Sequence, residues 1–124
     1  MLHMNLSLGW IWITVGLISG AVIGLFFHVP NWLGGYDSWR RRMVRLGHIS
    51  FLGTGLLNLA FVFTFSLRGY EPPHAAGGLL AVGAVTMPMV CFLAAWRDNL
   101  RHLFPIPVAS LIGAALSIVV QGLL

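Results

Sequence analysis

Four long apolar stretches alternate with short polar ones along the chain, at about Leu8 to Val29, Val44 to Leu67, Ala75 to Trp96 and Leu103 to Leu124. Each is about 22 to 24 residues long, which at helical rise gives roughly 33 to 36 Å. A hydrocarbon core is about 30 Å thick, so each stretch can span it with modest tilt. The first lacks a positively charged leader and a small-x-small cleavage site, and is longer than a signal-peptide core. It is expected to stay in the membrane as a helix.

The connections are short. Pro30 to Arg42 is rich in turn residues and places Trp32, Tyr36 and Trp39 where aromatic rings suit the headgroup layer. Arg68 to His74 contains the rigid Glu71-Pro72-Pro73, and Arg97 to His102 is shorter still. Short connections make successive helices antiparallel neighbours. The pattern predicts an all-α integral membrane protein: one transmembrane domain over residues 1–124, folded as an antiparallel four-helix bundle of two hairpins.

Composition removes the alternatives. The 124 residues are 58% hydrophobic and 8% charged, against about a quarter charged in soluble domains. A water-soluble fold is excluded, and with it a nucleotide or protease site of the kind such folds carry. The net charge of +4 would suggest nucleic acid in a soluble protein. On loops that face a bilayer it points instead to anionic lipid headgroups, with Arg40, Arg41 and Arg42 as their ligands and no nucleic acid as partner. Arg40, Arg41, Arg42, Arg45, Arg97 and Arg101 fall on the first and third connections or beside them, and Arg68 alone on the second. This asymmetry predicts a plasma (inner) membrane protein with the arginine-rich loops in the cytoplasm and both termini outside. Cys91 is the single cysteine and forms no intrachain disulfide.

Several residues stand out within the helices. Gly16, Gly20 and Gly24 recur every four residues, with Trp12 before and His28 after, as a seam for close helix contact. On the second helix Gly47, Ser50, Thr54 and Asn58 fall within an arc of about 80°, with His48 at its edge in line with Gly55. Thr54 and Asn58 are expected to hold helices together, Asn58 through a hydrogen bond to another helix. Pro88 removes a backbone donor from the third helix and predicts a kink, tolerated where a neighbour re-satisfies the freed carbonyl. Trp39-Arg40 and Trp96-Arg97 open similar segments, each followed by an arginine and a histidine, which hints at duplication of a two-helix unit.

Histidines are the candidate reactive groups. His28, His48 and His102 are expected at one level of the bundle, and His3 and His74 at the other. Ionisable groups at membrane depth point to function, and neutral imidazole ligates metals and haem. A porphyrin site would use His48 as haem-iron ligand, with His28 and then His102 as partner. Gly24 and Gly55 would give clearance, and Arg45, Arg41 or Arg101 would face the propionates. Asp98, four residues before His102, could orient that ring. Arg45-x-x-His48 followed by Gly53 and Gly55 resembles, over residues 45–55, membrane b-type cytochromes, in which a histidine near a helix end ligates haem and glycines make room for it. The resemblance implies haem b as cofactor.

No Asp or Glu lies inside the four stretches, which argues against transport coupled through a buried carboxylate. No CxxC, HExxH, phosphate loop or Ser-His-Asp arrangement occurs. Brevity, the glycine seam and the missing carboxylates favour a non-catalytic accessory or assembly subunit of a larger membrane complex, respiratory complexes included, with a homo- or hetero-oligomeric membrane partner. A b-type haem protein in electron transfer is the alternative, and a small-solute pore or oligomeric transporter the second.

Overall fold

The computed structural model describes residues 2–124. Four helices make up the chain: α1 (Leu2–Phe26), α2 (Trp39–Arg68), α3 (His74–Trp96) and α4 (Pro105–Ser117), the last prolonged by a π-helical turn over Ile118–Leu123. With its flanking turns α4 belongs to a segment Asp98–Leu123, and all four segments are long and apolar enough to cross a membrane. No strand occurs among the described residues. The architecture is a four-helix transmembrane bundle, in which α1 lies on α2, α2 on α3 and α3 on α4.

Helix ends follow local chemistry rather than the limits of the apolar runs. α1 starts at Leu2 rather than near Leu8, and so takes Asn5 into the helix. α2 starts at Trp39 rather than Val44, so Arg40, Arg41 and Arg42 sit in its first turn and not in the loop. Ser38 is the reason. Its hydroxyl accepts from the Arg41 backbone N–H at 3.1 Å and donates to the Leu33 carbonyl at 2.6 Å, which caps the helix. A helix of 30 residues is about 45 Å long. Its first turns therefore stand beyond the hydrocarbon, where arginine is tolerated. At the far end Gly69 takes a left-handed conformation (φ 65°) and donates to Phe65 at 3.0 Å.

The α1–α2 seam is built on glycine, with one correction to the expected stripe. Gly9 lies against Leu59, Gly16 against Leu52 and Gly20 against the His48 ring, whereas Gly24 has nothing within 4 Å of where a side chain would start. From α2, Gly55 closes on the α1 backbone: a Cβ there would lie 2.9 Å from the Gly9 carbonyl oxygen. Geometry explains why Gly9 belongs and Gly24 does not. At 100° per residue, steps of four drift about 40° each and leave Gly24 about 80° from Gly16, whereas the seven residues from Gly9 to Gly16 drift only about 20°.

Contact between α1 and α3 answers a deficit made by proline. Pro88 is buried inside α3 and has no N–H to give to the carbonyl four residues earlier. That carbonyl, on Ala84, accepts instead from Trp12 Nε1 of α1 at 2.6 Å. The edge of the Trp12 ring against Phe51 (centroids 5.5 Å apart) holds the indole in place. On the other side of α3, Ser110 of α4 donates to the Leu79 carbonyl at 2.7 Å and Leu111 seats over Gly83. Phe61, Val62 and Phe65 pack with Ala76, Leu80 and Ala114 at the Arg68 end, where the Phe65 ring meets Gly122. Toward the arginine-rich end α2 and α4 part.

Trp12→Phe keeps an aromatic side chain, though a smaller one, and drops the donor, so it should destabilise the protein by about 1 to 3 kcal/mol. In a Pro88→Ala background the restored N–H serves the Ala84 carbonyl, and the same change should cost less than half as much. Chemical unfolding of the four proteins in micelles measures this; equal costs in both backgrounds would separate the indole bond from the proline.

Candidate functional site

Side chains of a helix lean toward its N-terminus, and in an antiparallel bundle that is where the neighbours end. The first turn of α2 therefore projects onto the C-termini of α1 and α3. Trp39 Nε1 donates to the Ala94 carbonyl at 2.8 Å and Arg40 Nε to the Ala95 carbonyl at 3.2 Å, both in the last turn of α3. Arg41 Nη2 donates to the carbonyls of Phe27 (2.9 Å) and Val29 (2.7 Å), just beyond α1. Arginine at a helix N-terminus opposes that helix's own dipole, but here the cations sit at the negative ends of two others.

Arg41 corrects the expectation that it binds lipid headgroups, because it is fully buried. Its guanidinium carbon lies 4.1 Å from the Tyr36 ring centre, 5.0 Å from Phe27 and 5.3 Å from Trp32. Nε and Nη1 have no hydrogen-bond partner, so these π faces are what compensates the remaining charge. The connection folds back to form the cage through left-handed Leu33 (φ 54°), Gly34 (φ 90°) and Gly35 (φ 107°). Stacking of Trp32 on Phe26 and a bond of 3.1 Å from the Tyr36 hydroxyl to the His28 carbonyl pin it. Arg40 and Arg42 remain exposed, as does Arg45, whose guanidinium lies 5.6 Å from the Phe27 ring.

The histidines do not share one level. His48 is half-buried against Gly20, with Nδ1 3.3 Å from the Ser19 hydroxyl. His28 is exposed past the end of α1, and Phe26, the last residue of that helix, already lies about 9 Å along the axis from Gly20. His102 is exposed on the 3₁₀ turn Asp98–Leu103. On that tighter turn residues three apart eclipse, so Asp98 faces Arg101 (4.0 Å) rather than His102. Gly55 is closed by Gly9 and Ile13, and Gly24 looks onto open space. No group of three or more His, Cys, Asp or Glu side chains is placed to hold a metal ion among the described residues.

Of the polar stripe of α2, Asn58 joins three helices, whereas the Ser50 and Thr54 hydroxyls donate to the Gly47 and Ser50 carbonyls of their own helix. Asn5 Nδ2 donates to Asn58 Oδ1 (2.6 Å) and to the Gly77 carbonyl of α3 (3.0 Å), and Asn58 Nδ2 bonds back to the Thr54 carbonyl (2.8 Å). Asn5 and Asn58 are fully buried, and Asn5 Oδ1 has no partner among the described residues. Sequence reasoning missed Asn5 because it stood outside the expected first helix. The available signal was its place one turn ahead of Gly9.

Clefts of two kinds open on this framework. An apolar one of 530 Å³ lies where α2 and α4 part over α3, lined by Leu46, Ile49, Gly53, Leu57, Met87 and Leu111 among others. A polar one of 520 Å³ lies at the arginine-rich end, where Trp39-Arg40 and Trp96-Arg97 meet. Comparison with protein-family models, with curated proteins and with solved structures finds no match to this chain. Fold and composition define a small all-α polytopic integral membrane protein.

Arg41→Gln should lower stability by about 2 to 4 kcal/mol through the lost charge-assisted bonds and cage contacts. Arg42→Gln should change it by less than about 0.5 kcal/mol. Thermal unfolding in micelles compares the two, and similar losses would show that burial of Arg41 is not what holds this end together.

Proposed function

We propose that this chain is a non-catalytic accessory or assembly subunit of a larger membrane complex, and that it receives a transmembrane helix of another subunit in the apolar cleft between α2 and α4. The cleft carries the reading. Gly53 stands on its wall with nothing within 4 Å, flanked by Ser50 and Thr54. In lipid, where hydrophobic drive is absent, small residues on an open helix face are how a second helix is admitted. The buried asparagines, by contrast, are engaged in holding α1, α2 and α3 together.

A photo-crosslinking side chain placed at Gly53 fits the open space without disturbing the fold. In membranes of cells that express the chain naturally, it should yield adducts with a different polypeptide. Adducts with this chain alone would replace the reading with a homo-oligomer, and adducts with lipid alone would overturn it.

The arginine asymmetry supports a position in the plasma (inner) membrane with the Trp39 end of α2 in the cytoplasm and both ends of this chain outside. Single cysteines at Asp37 and Asn99, in a Cys91→Ser background, should then be shielded from an impermeant thiol reagent in intact cells, and one at Glu71 should label. The opposite pattern inverts the orientation.

A further inference from the structure

The two Trp-Arg dipeptides lie 57 positions apart in the chain (39 to 96) and on different helices, yet they line one cleft. Trp39-Arg40 opens α2 and Trp96-Arg97 closes α3, so their meeting follows from the antiparallel pairing of those helices. From this juxtaposition we propose that the cleft is a binding site for one anionic phospholipid, whose phosphate sits between Arg40 and Arg97.

Four features support the assignment. Arg40 uses Nε on the Ala95 carbonyl, which fixes the side chain, and its terminal nitrogens make no hydrogen bond among the described residues. Arg97 lies over the Trp96 ring at 5.4 Å, held at the rim. The one acid on the lining, Asp98, faces Arg101 at 4.0 Å, so the cleft is net positive. Planar guanidinium groups match a phosphodiester, and tryptophans at the ends of two spanning helices place the cleft at headgroup depth in whichever leaflet it faces.

A second, mainly apolar cavity of 270 Å³ shares Arg40, Ala95 and Trp96 with the first and continues along Val44 and Phe92. A free phosphate has no use for that extension. An acyl chain does: with its phosphate at the guanidinium groups, the lipid's first methylenes would lie along α2 and α3. The site is independent of the subunit cleft, which opens on the α4 side of α2.

The test is a lipid titration of the full chain in an uncharged detergent, read as the shift of thermal midpoint and, separately, as lipid adducts in native mass spectrometry. Phosphatidylglycerol should raise the midpoint in a saturable way and give a single-lipid adduct, and phosphatidylcholine should do neither. Arg97→Gln should move half-saturation to about tenfold higher phosphatidylglycerol, the loss expected for one charge-assisted hydrogen bond. Arg68→Gln, an exposed charge at the opposite end of α2 and outside the cleft, should leave it unchanged. Equal weakening by the two variants would show diffuse attraction and overturn the site. So would an equal response to phosphatidylcholine, or to soluble glycerol phosphate at the same concentration. If Arg97→Gln alters the lipid-free midpoint, the adduct fraction at fixed lipid decides.

Discussion

A backbone carbonyl without its helical partner has no water to turn to when it lies in hydrocarbon or is covered at a helix end, and several side-chain bonds between the segments of this chain answer that shortage. Pro88 frees the Ala84 carbonyl and Trp12 takes it. The last turn of α3 leaves Ala94 and Ala95, which go to Trp39 and Arg40, and the end of α1 leaves Phe27 and Val29, which go to Arg41. Each of these bonds fixes an axial position, so together they set how far α1, α2 and α3 slide against one another. Dispersion and glycine contact bring the helices close; the carbonyls decide where they stop.

The arrangement concentrates strain and compensation in one turn. Three consecutive residues at the start of α2 carry two cations against their own helix dipole, which is unfavourable locally. The cost is offset because the antiparallel neighbours present their negative ends to the same place. Arg41 goes furthest, giving up water for two carbonyls and three aromatic faces. By comparison α4 is held along one edge: a hydroxyl bond to Leu79, Leu111 over Gly83, Ala114 in the core and, on the turn that follows it, a ring contact at Gly122. A helix fixed along one edge leaves a cleft along the other, and the open face of α2 around Gly53 follows from it.

Much of the site was close to legible. Arg41 lies seven residues before His48 and fourteen before Gly55, on the line of α2 that faces α1, so extending that line by one heptad would have separated it from Arg40 and Arg42. Ser38 was a capping residue in plain view, and Pro88 announced a free carbonyl at Ala84. What those signals lacked was the other party. Nothing in the α3 pattern points to an indole on α1, and two Trp-Arg pairs at distant positions read as a faint repeat until the helices bring them together.

Number of crossings, antiparallel order and the gathering of six arginines at one end were determined by the sequence alone. Hydrocarbon thickness imposes span length, and short loops impose neighbours; both act on one segment at a time and are visible in one dimension. Rotational phase and axial register are relations between helices. Only the tertiary structure could decide that Gly9 enters the seam while Gly24 leaves it, that His28 and His48 stand at different depths, and that one arginine of three is buried, because each depends on which backbone groups a partner helix brings within reach.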